Sequence, residues 1–158
     1  MSKFDKHFKM NENDAIEFIK AKLNFFDKNA NLVAKEVGDG NINYVFIVKD
    51  LNSNKSIAIK HADKLLRTSQ RELDVNRNRI ESEVLKLQYK YAPDFVPKVH
   101  YYDSVMCNIV MDDISNYKNM RNELMQQKTF PHFSENISTF MVNTLLPTTD
   151  LVMDSFEK

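Results

Sequence analysis

The chain has only two glycines, Gly38 and Gly40, and they stand one residue apart. Average usage of about 7% would give roughly 11 glycines in a chain of this length. Because glycine takes backbone conformations that other residues avoid, the freedom for a sharp turn is concentrated at residues 38–41. The flanking runs, 32–37 and 42–48, are rich in β-branched and aromatic residues, so we expect two strands joined as a β-hairpin.

The apolar spacing predicts one helix before this hairpin and a longer series of elements after it. Asn13 is the expected N-cap of the first helix, and a third antiparallel strand is expected over 56–60. A second helix is expected over 79–91, two strands over 96–102 and 108–111, and further helices over 120–125 and 133–145. The second helix should bury a stripe formed by Ile80, Val84, Leu87 and Tyr91. The predicted fold class is α+β.

Composition excludes several classes of protein. Lys and Arg number 22 and Asp and Glu also number 22, so the basic excess of a dedicated nucleic-acid binder is absent. No run approaches the ~20 apolar residues of a membrane span. Cys107 is the only cysteine, which rules out an intrachain disulfide and fits a reducing compartment. We expect a cytoplasmic domain with neither a nucleic-acid partner nor a membrane partner.

The glycine turn is the first candidate for chemistry. Glycine lets backbone N–H groups approach phosphate oxygens without an intervening Cβ. The same short pattern is also typical of an ordinary tight turn. The candidate residues are Gly38, Asp39, Gly40 and Asn41, followed by Asn43 at the start of the next strand.

Lys60 is the second candidate, at the end of the third predicted strand. Ala58 and Lys60 share one face of that strand, so a small residue lies beside a cation, as suits a flat base and its phosphates. Such a lysine needs an anionic partner, and the following helix offers Glu81 or Glu83. Glu81 is preferred because it lies beside the apolar stripe. The alternatives are a solvent-facing lysine and two surface glutamates.

The third candidate is the segment where the chain leaves the last predicted strand. Backbone groups of Asp112, Asp113 and Ile114 could bind the edge of an adenine, since groups just after a strand end are unpaired. A strand-to-helix turn capped by Asp113 or Ser115 explains the same residues equally well.

Taken together, these residues resemble the S-methyl-5-thioribose kinases, small-molecule kinases of the aminoglycoside-phosphotransferase and choline-kinase type. The resemblance lies in segments 36–46, 59–60, 79–81, 96–99 and 110–114, and its most specific part is Gly-Asp-Gly-Asn-x-Asn-Tyr-Val. It implies a kinase-like small lobe, a five-stranded antiparallel sheet with one long helix, over residues 1–114. Residues 115–158 would be the first helices of a truncated helical large lobe.

The resemblance also implies roles for the candidate residues. The nucleotide-binding set would be Gly38, Asp39, Gly40, Asn41, Asn43, Lys60, Asp112, Asp113 and Ile114, with Glu81 orienting the lysine. The family transfers the γ-phosphate of ATP to the 1-hydroxyl of methylthioribose, a small-molecule substrate, with Mg²⁺, in methionine salvage.

Two departures from the family pattern qualify these implications. The segment 63–78 is altered, and none of the four histidines opens a His-x-Asp catalytic loop. We therefore expect no catalytic residue and no metal ligand in this chain, an amino-terminal part that is inactive alone. The alternatives are a stand-alone nucleotide-binding or regulatory module, and the small lobe of a related sugar, choline or aminoglycoside kinase. The apolar helices after Asn119 suggest a possible homodimer.

Overall fold

A computed structural model describes residues 2–37, 42–66, 69 and 71–152. The helices are α1 (Glu12–Lys22), α2 (Asn76–Tyr91), α3 (Met120–Met125) and α4 (Phe133–Leu145), with short 3₁₀ helices at Lys3–Asp5 and Leu146–Thr148. The strands are β1 (Leu32–Val37), β2 (Asn43–Asp50), β3 (Ser56–Ala62), β4 (Val99–Asp103) and β5 (Asn108–Asp112). The predicted turn residues Gly38, Asp39, Gly40 and Asn41 lie outside the described residues.

The five strands form one antiparallel sheet in the order β1-β2-β3-β5-β4. Consecutive strands pair along β1, β2 and β3, and the β4–β5 hairpin adds through β5 to the edge of β3. With α2 between β3 and β4 in the chain, this arrangement confirms the predicted α+β fold with a five-stranded antiparallel sheet and one long helix.

The core lies on one face of the sheet, under α1 and the segment that precedes it. Phe46, Val48, Ile57 and Ile59 alternate with residues of the other face along β2 and β3, and they pack with Phe18, Ile19, Phe4 and Met10. Phe18 of α1 is fully buried and meets Phe4 edge to face, with ring centroids 5.2 Å apart. This face of the sheet is therefore closed by the amino-terminal part of the chain.

The start of α1 differs from the sequence prediction. Asn11, not Asn13, is the N-cap: its side chain accepts a hydrogen bond from the Asp14 backbone N–H at 3.0 Å. The Asp14 carboxylate in turn accepts from the Asn11 N–H at 2.8 Å, which completes a capping box. This reciprocal pair requires a spacing of three, which Asn11 has with Asp14, so Asn13 falls inside the first turn.

The first half of the stripe predicted for α2 is wrong, while Leu87 and Tyr91 in its second half are partly buried. Ile80 and Val84 are 51% and 44% exposed, while Asn78 and Ser82 are the buried residues of the helix. The helix also begins earlier than predicted, at Asn76. The apolar period does not decide which face of α2 packs against the sheet, because polar side chains form hydrogen bonds between the helix and the sheet.

Strand β4 is shorter than predicted, beginning at Val99 rather than at residue 96. The reason lies just before it, where Pro97 has no N–H to give to a strand ladder. The next N–H, from Lys98, goes to the Asp112 carboxylate at 2.9 Å.

The helices after β5 are mostly exposed. Phe133, Ile137, Met141 and Leu145 of α4 all present apolar surface, and Phe95 meets Phe140 at a ring-centroid distance of 5.9 Å. The predicted homodimer stays a prediction. Among the described residues, no helix has the length and apolar character needed to cross a membrane.

Candidate functional site

The sheet has a second face, opposite the core, and strand register brings the candidate residues together there. Val45 is paired with Lys60, and Ile47 is paired with Ala58. Ala58 is in turn paired with Met111. Directly paired residues of antiparallel strands point to the same side, so these side chains share one face. Val45, Ile47 and Met111 are only partly buried, which leaves an apolar surface beside the Lys60 ammonium.

The Lys60 side chain forms an ion pair with Glu81 of α2. Its Nζ lies 2.5 Å from Glu81 Oε1, and the two side chains are 24% and 35% exposed. The carboxylate therefore fixes the direction of the lysine while leaving part of the ammonium accessible. An accessible, oriented cation beside an apolar surface is a suitable contact for a phosphate attached to a flat ring.

Glu83, the other glutamate considered from the sequence, points elsewhere. Its carboxylate accepts from Arg79 Nη1 at 2.8 Å, an exposed pair of the i,i+4 type. The contact with Lys60 is made by Glu81, and its role in orienting the lysine for a ligand stays a prediction.

The segment after β5 uses its side chains for local structure. The Asp112 carboxylate accepts from His100 Nε2 at 2.6 Å, besides the Lys98 N–H. Asp113 accepts from the Ser115 N–H at 2.8 Å, which is the capping contact weighed in the sequence. Burial alone would raise the pKa of Asp113, but hydrogen bonds with Ser56 and Ser115 hold it below its ordinary value. The neighbouring Ile114 is exposed.

These three residues border a cavity of about 600 Å³. Its other walls are the loop of residues 93–97, Ser56 at the start of β3, and Asn116 with Tyr117. Lys60 and Ala58 are not among its lining residues. The cavity and the Lys60 surface are therefore neighbouring features that meet at β3, where Ser56, Ala58 and Lys60 alternate along one strand face.

Asn43 is buried in a hydrogen-bond network at the other end of this face. Its amide donates to Asn78 Oδ1 at 3.1 Å and accepts from Arg77 Nη2 at 2.9 Å. Both partners belong to the first turn of α2. Arg77 also donates to the Asp63 carbonyl at 3.0 Å, and burial lowers its pKa, opposed by the charge of Asp74.

Sequence reasoning missed Arg77 and Asn78. They fall in the segment 63–78, which has no apolar period, and the only signal was the dense run of Arg and Asn itself. Val37 ends β1 opposite Val45, which is in turn opposite Lys60. Strand β1 therefore ends, at Val37, at the same end of the sheet as Lys60.

A metal site is not assembled in the part of the chain that the structure describes. No three side chains of His, Cys, Asp or Glu lie close enough together there to hold an ion. We assign no magnesium ligand to these residues.

Comparison with known proteins gives a consistent picture. No protein-family model matches the chain. Curated methylthioribose kinases of Bacillus cereus, Bacillus mycoides and Bacillus thuringiensis are 36%, 35% and 34% identical to it over 154 residues. The alignment covers 96% of this chain and 38% of each relative. The resemblance found in the sequence is thus confirmed: the chain is similar to methylthioribose kinases over nearly all of its length and spans a little over a third of theirs.

Proposed function

We propose that this chain is the nucleotide-binding lobe of an ATP-dependent small-molecule kinase that acts on methylthioribose. The observation that carries the proposal is the ion pair of Lys60 and Glu81 on the open face of the sheet. The relatives' names supply the acceptor. Residues 1–114 form the lobe in this proposal, and residues 115–158 begin a second, helical lobe.

The proposed role of Lys60 is to bind a phosphate of ATP. An ammonium held by a carboxylate has a fixed direction, so less side-chain entropy is lost when a phosphate binds. Glu81 is the orienting residue. Its contact with Lys60 leaves part of the ammonium accessible for the ligand.

The proposed seat of the adenine is the apolar surface of Val45, Ile47, Ala58 and Met111. Ala58 carries only a methyl group, which leaves room for a flat ring against the strand. The backbone of residues 112–114 continues from this surface, and it offers N–H and C=O groups for the edge of the base. The Asp112 and Asp113 side chains already have local partners, so this proposal gives them no direct contact with the nucleotide.

The chemistry in this proposal is transfer of the ATP γ-phosphate to the 1-hydroxyl of methylthioribose, a step of methionine salvage in the cytoplasm, where ATP is available. Magnesium bound with ATP would neutralise charge on the transferring phosphate. The chain's own part is to bind the nucleotide and orient its phosphates through Lys60. No residue that activates the acceptor hydroxyl is assigned to this chain.

Isothermal titration with Mg-ATP tests the proposal. Lys60→Met should weaken binding about tenfold to hundredfold, since a hydrogen bond to a charged group contributes about 1.5–3 kcal/mol. Lys86→Met is the matched control, because Lys86 is an exposed lysine on α2, and it should bind as the unaltered chain does. Absence of binding by the unaltered chain, or equal binding by both variants, would contradict the proposal.

A further inference from the structure

Two residues of helix α2 contact Lys60. Glu81 pairs with the side-chain ammonium, and Asn78 Nδ2 donates to the backbone carbonyl of the same residue at 3.1 Å. Asn78 and Glu81 are three residues apart, so they lie on one face of the helix. The backbone and the side chain of one strand residue are thus both held by neighbouring turns of α2.

The Asn78 amide is fully buried, with 0% exposure. Its Nδ2 donates to the Lys60 carbonyl and also to the Cys107 carbonyl at 2.9 Å, and its Oδ1 accepts from Asn43 at 3.1 Å. One side chain therefore links α2 to β2, to β3 and to the turn before β5. A buried amide that loses its partners is costly, so these bonds disfavour any rotation or sliding of the helix.

The other bonds from the first turn of α2 to the sheet side of the chain come from Arg77, which donates to Asn43 and to the Asp63 carbonyl, while apolar contacts contribute little there. Ile80 and Val84 point their apolar surface outward, and Val75 at the N-cap makes no side-chain capping bond. The other buried residue of the helix is Ser82, whose hydroxyl has no hydrogen-bond partner among the described residues. The position of the first half of the helix thus depends on specific hydrogen bonds more than on apolar packing, whereas Leu85, Leu87 and Tyr91 in the second half are partly buried.

We propose that Asn78 is the positioning residue of the site. Its hydrogen bonds keep α2 at the position along the sheet, and in the rotation about its own axis, at which the Glu81 carboxylate contacts the Lys60 ammonium. Among the described residues its hydrogen bonds go to Asn43 and to the Lys60 and Cys107 carbonyls, and not to the Lys60 ammonium, so it acts through the strand and the helix. The expected effect of Asn78 on ligand binding rests on the proposed function, whereas its expected effect on the ion pair of Lys60 and Glu81 is independent of that function.

Nitrogen-15 NMR of the lysine Nζ groups tests whether Asn78 maintains the ion pair of Lys60 and Glu81. The spectra are recorded at low temperature and slightly acidic pH, where the protons of a paired ammonium are protected from exchange with water. Loss in Lys60→Met identifies the Lys60 signal. The Lys60 signal should also be absent in Glu81→Gln, and it should be equally absent in Asn78→Ala, although Glu81 is intact in that variant. Ser82→Ala is the matched control, a buried residue of the same helix, and it should keep the signal.

Mg-ATP titration gives the second readout. Asn78→Ala should weaken binding by the same factor as Glu81→Gln, and the double variant should bind no more weakly than either one, because both changes remove one interaction. A purely structural role would make the effects add.

Each other outcome is decisive. A Lys60 signal that persists in folded Asn78→Ala would overturn the proposal. If that variant does not fold, Asn78→Ser, which keeps one short donor, is compared in its place and should lose the signal in part. Failure of both variants to fold, with Ser82→Ala folded, would show a general structural role and reject positioning. An unaltered chain that shows the expected NMR pattern without binding Mg-ATP would leave the positioning role intact and reject the proposed function.

Discussion

Lys60 and His61 are consecutive residues of β3 with opposite environments. Lys60 faces the open side of the sheet, where its ammonium stays accessible. His61 faces the core side and has 0% exposure. Its Nδ1 lies 2.8 Å from Asn108 Oδ1, while its buried Nε2 has no hydrogen-bond partner among the described residues. The neutral ring with the proton on Nδ1 fits this arrangement, because protonated Nε2 would be a buried, unpaired donor.

At the scale of this residue we predict a pH dependence of stability. Burial, and to a lesser extent the charge of His7, lowers the pKa of His61 from its ordinary value of 6.5 in spite of the bond to Asn108. The unfolded chain therefore binds a proton more readily than the folded chain. The free energy of unfolding should fall as the pH drops below about 6.5, by at most about 1.4 kcal/mol per pH unit from this group.

Urea denaturation across a pH series measures this slope. His61→Gln should flatten the dependence between neutral pH and mildly acidic pH, whatever its effect on absolute stability. His132→Gln is the control, because the His132 side chain is 79% exposed, and it should keep the slope of the unaltered chain. Equal slopes in both variants would be incompatible with a neutral, buried His61.

At the scale of elements, helices α1 and α2 are attached to the sheet in different ways. Helix α1 buries Ala15, Phe18 and Ile19 against the core. Helix α2 is attached through Arg77 and Asn78 and through the pair of Glu81 with Lys60. The apolar contribution to stability should therefore differ between the two helices, even for the same residue type.

The same substitution in each helix tests this difference. Ile19, 1% exposed, should cost about 2–5 kcal/mol of unfolding free energy when changed to Ala, because it leaves a cavity. Ile80→Ala, at a site 51% exposed, should stay within about 0.5 kcal/mol. Chemical denaturation compares the two variants. A cost above about 2 kcal/mol for Ile80→Ala would mean that its side chain packs against the core.

The strands could be predicted from the sequence more closely than the helices could. Alternation along β2 and β3 decides which residues share a face, so the joint placement of Ala58 and Lys60 followed from the period of two. The apolar stripe predicted for α2 did not identify the face that packs against the sheet, because the hydrogen bonds of Asn78 determine that face. Glu81 is indeed the partner of Lys60, but it lies on that polar face rather than beside a buried stripe. A network that joins Asn43 to Arg77 and Asn78, two segments far apart in the chain, has no local pattern to reveal it.

At the scale of the whole molecule, the sheet has one closed face and one open face. The amino-terminal segment and α1 close the first, and the second carries Lys60, its partner Glu81 and the partly buried apolar surface of β2 and β5. The chain spans 38% of the length of its methylthioribose kinase relatives. The central claim of the proposed function is that the open face binds ATP.

Amide chemical-shift mapping during titration with Mg-ATP tests this claim most directly. We expect saturable shifts on the open face, at Val45, Ile47, Ala58, Lys60 and residues 112–114, with much smaller shifts in α1, behind the sheet. In Lys60→Met the same signals should move only at higher ligand concentration. Shifts confined to α1 or α4, or no shifts at millimolar Mg-ATP, would contradict it.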